Sequence, residues 1–346
     1  MFAKDYINSL VDIKGGGSMS RQAQVQNNNS IGKPKAQKTV EVKQKISWNE
    51  IKKQKQLILL ALPFLIYVII FNYAPLFGWV MAFQKYKPAK GFFEQTWVGL
   101  DKFKQLFSNE VFLGVIRNTL AMSLINLVLG FIFSIGFALL LNELKGVKAK
   151  KFIQTVSYLP HFLSWVIVVG LVFQVLSMDT GVLNQLLLKL HIIDKPINFL
   201  SEPKYYWGIV GISNVWKETG WGSIIYLAAI TAINPELYEA AAIDGAGRFR
   251  KILHVTLPGI KSTIFILLII NIGNILNSGF DMQYLLTNGL VQRVSQTIDI
   301  YVLRYGISLA DYSLATAAGI FKSVVSIVLI FLANRFAKAA GEERLF

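Results

Sequence analysis

Ionisable and amide side chains stand in this chain inside runs that are otherwise strongly apolar. Lys217 and Glu218 sit together in the stretch WKETGWG, where Gly220 and Gly222 allow close packing. Asn274 and Asn277 are three residues apart, Asp281 follows them, and Lys322 lies midway along the last apolar run. Charge inside a bilayer is costly, so such groups are functional candidates by default. The chemistry they offer is recognition of a hydroxylated solute, since amides and charged groups exchange hydrogen bonds with hydroxyls. The rings of Trp216, Trp221, Phe280, Tyr284 and Tyr73 could stack on sugar faces. A lysine on such a path would favour an anionic, uronic-acid-bearing substrate, and Lys217→Gln would then erase a preference for acidic over neutral oligosaccharides. A structural reading stands beside this one: polar pairs also hold helices together, Trp and Tyr gather at membrane interfaces, and Lys322 could meet a partner subunit.

A second constellation, EAAAIDGAGRFRKILHVTLP from Glu239 to Pro258, interrupts two apolar segments. Asn234 suits a helix cap and Pro235 the first turn, where its missing N–H costs nothing. Ala240, Ala241 and Ala242 make a slim helix with high propensity, open to close approach by another backbone. Gly245 and Gly247 permit a sharp turn, and Arg248, Phe249, Arg250 and Lys251 begin a basic segment that Pro258 closes. The stretch reads as a docking knob.

These elements must be carried by a membrane protein. Of the 346 residues 53% are hydrophobic and 16% charged, unlike a typical soluble domain. The apolar residues cluster in runs long enough to cross a bilayer, which takes about 20 residues per helix. The runs are residues 57–80, 120–141, 153–176, 205–233, 264–286 and 314–333, with kinks expected at Pro63 and Pro75 and a break near Pro160. An external loop over 84–110 and a short surface helix over 181–190 lie between them. Basic residues crowd the N-terminal tail, the 142–151 loop (Lys145, Lys148, Lys150, Lys151), the 234–260 loop and the C-terminal tail. The positive-inside rule puts all four in the cytoplasm. Five lysines in the first external loop vote the other way, but alternation of six helices prevails. The fold class is therefore all-α, six transmembrane helices with both termini cytoplasmic, comprising a permease domain over 57–346 and a basic tail over 1–56.

The tail reads as largely disordered up to residue 46, with Ser47 and Glu50 set as a capping box. Lys14-Gly-Gly-Gly-Ser-Met19 is what a purine-rich ribosome-binding site would encode, which makes Met19 the expected natural start and 1–18 an artefact. The net charge of +15 fits anionic lipid rather than nucleic acid, because no aromatic-basic face accompanies it. With no cysteine and three scattered histidines, no metal site is expected. No P-loop, zincin helix or nucleophile elbow occurs, so the chain is expected to be non-catalytic and to bind no cofactor.

The pattern formed by Glu239, Ala240, Ala241, Gly245, Val255, Leu257 and Pro258 resembles the EAA loop of binding-protein-dependent ABC importer permeases. Val255 departs from it, since that family more often has isoleucine there. The resemblance runs from about Leu57 to the C-terminus and looks closest to sugar permeases, within a branch that takes up complex oligosaccharides. It implies a type I importer fold in a bacterial cytoplasmic membrane. It also implies a second homologous permease subunit in a heterodimer, two ATPase subunits that hold ATP and Mg, and an extracellular solute-binding protein. On this resemblance the helix from Pro235 to Asp244 is a coupling helix. Glu239 pairs with a base on the ATPase, Ala240 and Ala241 pack closely, Asp244 and Gly245 end the helix and make the turn, and Leu257 and Pro258 anchor the loop. A permease for amino acids or phosphate, an ion-coupled carrier and a membrane scaffold are the alternatives.

Overall fold

The computed structural model describes residues 54–277, 279–339 and 341. The readings made for residues 1–53, including the start at Met19 and the Ser47 cap, lie outside them. By its contacts the chain falls into two units, Met1–Pro63 and Phe64–Phe346. Residues 54–63, the described part of the first, open helix α1 (Lys55–Val68). Pro63 lies inside this helix, which continues as α-helix to Val68; the winding changes around Pro75, where a π turn at Ile69–Tyr73 precedes it and a 3-10 stretch runs from Ala74 to Phe83.

In the second unit a hairpin follows, in which β1 (Gln84–Lys85) pairs antiparallel with β2 (Thr96–Trp97). Then come α2 (Asp101–Phe107), α3 (Glu110–Glu143), α4 (Val147–Tyr158), α5 (Trp165–Leu176), α6 (Val182–Lys189) and α7 (Pro203–Thr231). The second half holds α8 (Pro235–Ile243), α9 (Arg248–Gly259), α10 (Lys261–Gly273), α11 (Phe280–Leu286), α12 (Gln292–Ser295), α13 (Ile298–Leu303) and α14 (Tyr312–Ala339). By length and composition three helices could cross a membrane, or five if each of two bent pairs is a single span. The pairs are Val147–Phe162 with Trp165–Leu176, bent by 101°, and Arg248–Gly259 with Lys261–Gly273, bent by 59°. Helix α7 has the length, 29 residues, but dilutes its apolarity with Lys217 and Glu218.

Two expected runs are interrupted. The break near Pro160 is a 3-10 turn, Leu159–Phe162, after which extended Leu163 and Ser164 restart the chain; the Ser164 hydroxyl caps α5 by accepting from the Ile167 N–H. The run 264–286 is not one helix. It stops at Gly273, because Asn274 and Asn277 turn their amides on the local backbone and on each other: Asn274 Nδ2 donates to Ile270 O at 3.1 Å and Asn277 Nδ2 to Asn274 Oδ1 at 3.3 Å. Such local bonds compete with helix propagation. Gly279 then takes φ +81°, a left-handed conformation natural to glycine.

Helices α3 and α7 pack along much of their length, and small residues permit it. A Cβ on Gly211 would lie 2.7 Å from the Ile125 side chain, and one on Gly222 would lie 2.7 Å from Ser134 Oγ. Among the described residues four apolar clusters form: the smallest is Ile269 with Ala333 and Ala337, between α10 and α14, and three are larger. Phe112, Tyr301 and Leu314 centre one, Tyr206 and Met282 another, and Leu141, Tyr226 and Ile260 the third.

Lys322 on α14 meets Asp299 on α13 at 2.5 Å, with side chains only 16% and 29% exposed. Removing one partner of a part-buried pair leaves an uncompensated charge, at about 1–3 kcal/mol. Lys322→Met is expected to lower the thermal midpoint of the detergent-solubilised protein, and Asp299→Asn added to it is expected to restore most of the loss. Equal losses in the single and double variants would mean that the pair carries no coupling.

Candidate coupling helix and polar cavity

Helix α8 is capped at both ends by its own sequence. The Asn234 side chain accepts the Glu236 N–H at 3.0 Å, as expected of a cap residue. At the other end Asp244 is the C-cap residue and Gly245 takes φ +76°. The Ala246 N–H reaches Ala241 O at 2.9 Å and the Gly245 N–H reaches Ala242 O at 3.1 Å, which is the Schellman pattern. None of the nine residues is buried, and only Tyr238 and Ala241 are partly covered. Glu239 and Ala240 are exposed, and Glu239 has no ion pair among the described residues. Leu237, Ile243 and Phe249 are exposed apolar side chains on and beside it, 53%, 87% and 82% accessible. The knob is bolted down from behind: the Tyr238 hydroxyl bonds Thr256 Oγ1 at 3.0 Å, and Thr256 is buried. Leu257 packs against the apolar cluster that includes Tyr226, Leu227 and Ile230 of α7, and Arg248 approaches Glu143 at the end of α3 at 4.0 Å. Pro258 is exposed and lies in the last turn of α9, Leu257–Gly259.

A cavity of about 490 Å³ opens between α3, α7, α10 and the broken segment that follows α10. Each helix contributes a stripe. From α3 come Ser123, Asn126, Gly130 and Ser134; from α7, Asn214, Glu218, Trp221 and Gly222; from α10 and the break, Asn271, Asn274 and Asn277. Steps of three and four place the α3 and α7 sets each on one face of their helix, while Asn274 and Asn277 follow the end of α10. Ser123 Oγ and Asn126 Oδ1 are buried there with no hydrogen-bond partner, which is costly unless something supplies one. The wall is amide- and hydroxyl-rich, with indole rings from Trp165 and Trp221.

Residues 130–341 match the family described as binding-protein-dependent transport system inner membrane component. The chain belongs to this family. Among relatives of this permease, Protein LplB of Bacillus subtilis (strain 168) is 46% identical over 302 residues, covering 87% of this chain and 94% of that one. The polygalacturonan/rhamnogalacturonan transport system permease protein YteP of the same organism is 45% identical over 293 residues, covering 85% and 91%. Among solved structures, a bacterial alginate ABC transporter in complex with alginate pentasaccharide-bound periplasmic protein contains a chain with a TM-score of 0.80 and 41% identity, covering 86% of this chain and 99% of that one. The helical fold is that of type I importer permeases.

Within the permease, the sequence candidates divide. Glu218, Asn274, Asn277 and Trp221 reach the cavity wall; Trp216, Lys217, Phe280, Asp281 and Lys322 do not. Lys217 is buried behind it, donating to His161 O at 2.6 Å and lying 3.3 Å from Glu218 Oε1. Its ammonium also stands over the Trp165 ring at 5.2 Å. Glu218 turns its other oxygen to His161 Nδ1 at 2.7 Å, and the His161 ring stacks on Trp221 at 4.5 Å. The lysine therefore ties the carboxylate to the break at Pro160 and does not line this cavity. Trp216 is half exposed on α7, Phe280 stacks on Tyr284, Asp281 lies exposed in the first turn of α11, and Tyr73 is exposed. Asn126, Asn214, Asn271 and His161 were not anticipated as site residues. The 123–126–130–134 stripe of small and polar residues in an apolar run was the signal for α3; for His161, whose partners are 56 and 57 residues away, there was none.

Proposed function

We propose that this permease is the membrane-spanning, non-catalytic subunit of an ATP-driven importer of oligosaccharides. The observation that carries the reading is an exposed helix and a polar cavity within one compact unit: the double-capped helix α8 is fastened, through Tyr238, Thr256 and Leu257, to the helices that wall the cavity. Relatives named for polygalacturonan, rhamnogalacturonan and alginate transport support a sugar as cargo, and so does a wall of amides, hydroxyls and indoles. Sugar hydroxyls would satisfy Ser123 and Asn126, and the Trp165 and Trp221 rings offer faces for stacking.

The chain spans a bacterial cytoplasmic membrane six times, with both ends inside. The two bent pairs and α7 supply three of the crossings, the remainder being Lys55–Phe83, α3 and α14. A homologous second permease completes the path, and an extracellular binding protein delivers the sugar. Two ATPase subunits, holding ATP and Mg, grip α8: Glu239 pairs with a base in their cleft while Leu237, Ala240 and Ile243 pack against it. Closure of the ATPases moves α8, and the fastening through Leu257 carries that motion into α7. Alternating access of this kind needs a stiff contact between two discrete arrangements.

The test is reconstitution of the complete complex in proteoliposomes with its binding protein. Uptake of an oligosaccharide that requires internal ATP, and stops with vanadate, is expected. Uptake driven by an ion gradient without ATP would replace this reading with that of a secondary carrier.

A further inference from the structure

A second cavity, of about 900 Å³, lies at the other end of α3 from the coupling loop, between the first turns of α3, α12 and the π turn Arg304–Ser308 after α13. Its volume is in the range of small-molecule sites, about 300–1,000 Å³. Three arginines, Arg117, Arg293 and Arg304, are among the residues that line it, with Glu110 as the one acid. None of the three arginines is in an ion pair among the described residues, so positive charge is left over.

The cluster is organised in advance. Asn118, 1% exposed, accepts from Arg117 Nη2 at 3.1 Å and donates through Nδ2 to Arg293 O at 2.9 Å and Gln296 O at 3.2 Å. One buried amide thus fixes two arginine-bearing segments against each other. The Arg117 guanidinium lies 5.9 Å from the centre of the Trp207 ring, and the Trp207 N–H is held by Val294 O at 3.0 Å. The Tyr305 ring, stacked on Tyr301 at 4.1 Å, adds an aromatic wall beside the Gln292 and Gln296 amides.

We infer that this cavity is a carboxylate-reading antechamber that binds acidic, uronate-bearing oligosaccharides on the outer side before they reach the inner cavity. Planar guanidiniums match carboxylates two bonds at a time, and amides with an aromatic wall suit the sugar rings between them. The assignment rests on the proposed transport reading, which puts the start of α3 outside. It also moves the charge selection once expected of Lys217 to arginines from three separate segments.

The test uses the complete transporter in phosphatidylcholine nanodiscs without its binding protein, and two probes of the same shape: trigalacturonate and its full methyl ester. The wild type is expected to bind the acid at least about ten-fold more tightly than the ester, a preference that fades as salt rises from about 0.05 to about 0.5 M. In the R117Q/R293Q/R304Q variant the preference is expected to vanish with ester binding unchanged, and the R117K/R293K/R304K variant is expected to keep part of it because the charge survives. Equal wild-type affinities for the two probes would overturn the inference, as would a preference that persists in the glutamine variant. So would a glutamine variant that loses only its affinity for the binding protein, which would make the cavity a docking surface. ATP-driven uptake of both probes at equal rates by wild-type proteoliposomes would defeat the antechamber alone; absence of any ATP-driven sugar uptake would defeat the transport reading beneath it.

Discussion

Reversing the charge of Glu239 to lysine is expected to abolish ATP-driven uptake while the protein still inserts in the membrane at normal levels. Glu239 is exposed on a helix whose caps and anchors involve other residues, Asn234, Tyr238 and Gly245. The substitution therefore removes nothing that folds the chain, and lysine has good helix propensity. In the proposed complex the carboxylate meets a base in a water-poor cleft. Losing one partner of such a pair costs about 2–5 kcal/mol, and reversal adds repulsion. That corresponds to at least about a thirty-fold loss of affinity for the ATPase subunits. Co-purification from detergent and substrate-stimulated ATP hydrolysis check it directly. A variant that assembles and transports at the wild-type rate would remove the part assigned to this acid.

Gly220→Ala, a change of one methyl group, is expected to be severely destabilising. A Cβ at Gly220 would lie 2.0 Å from Ser157 O and 2.5 Å from Ser157 C. Those are backbone atoms of α4, so no side chain can swing aside; α7 and α4 must separate. Overpacking in a well-filled interior costs about 1–3 kcal/mol and sometimes more, and this crossing also holds Lys217 and Glu218 against His161. We expect a clear loss of monodisperse protein in size-exclusion chromatography and a lower thermal midpoint. Gly208→Ala on the same helix, where a Cβ would meet nothing within 4 Å, is the control and should be neutral or slightly stabilising through helix propensity. Matching behaviour of the two variants would refute the backbone contact between α4 and α7.

The contrast between these two positions marks what could be read in the chain without its fold. The bounds of α8 were legible, because caps and left-handed turns are local: Asn234 and Pro235 announce a start, and Gly245 a stop. The break near Pro160 was legible for the same reason. The interruption at Asn274–Gly279 was not, since apolar flanks masked amides that spend their bonds on the adjacent backbone. For Lys217 and Glu218 the sequence leaves a place on the path and a purely structural role both open. Neighbours on a helix point about 100° apart, and only the position of His161 decides that the carboxylate faces the cavity and the ammonium lies behind it. Lys322 was found as a buried charge, but Asp299, across an interhelical turn, was not foreseen as its partner. The arginine cluster was invisible, for its members are drawn together from residues 117, 293 and 304.

The central claim, that α8 is the handle through which ATPase motion reaches the membrane, has a direct test in a chain that contains no cysteine. A single cysteine at Ala240, paired with single cysteines lining the cleft of the ATPase subunit, is oxidised in inverted vesicles with and without ATP. The account predicts a disulfide to the ATPase subunit and no labelling of the cysteine by an impermeant maleimide applied outside intact cells. Labelling from outside, or transport at full rate in complexes in which Ala240→Cys forms no cross-link at any cleft position, would contradict it.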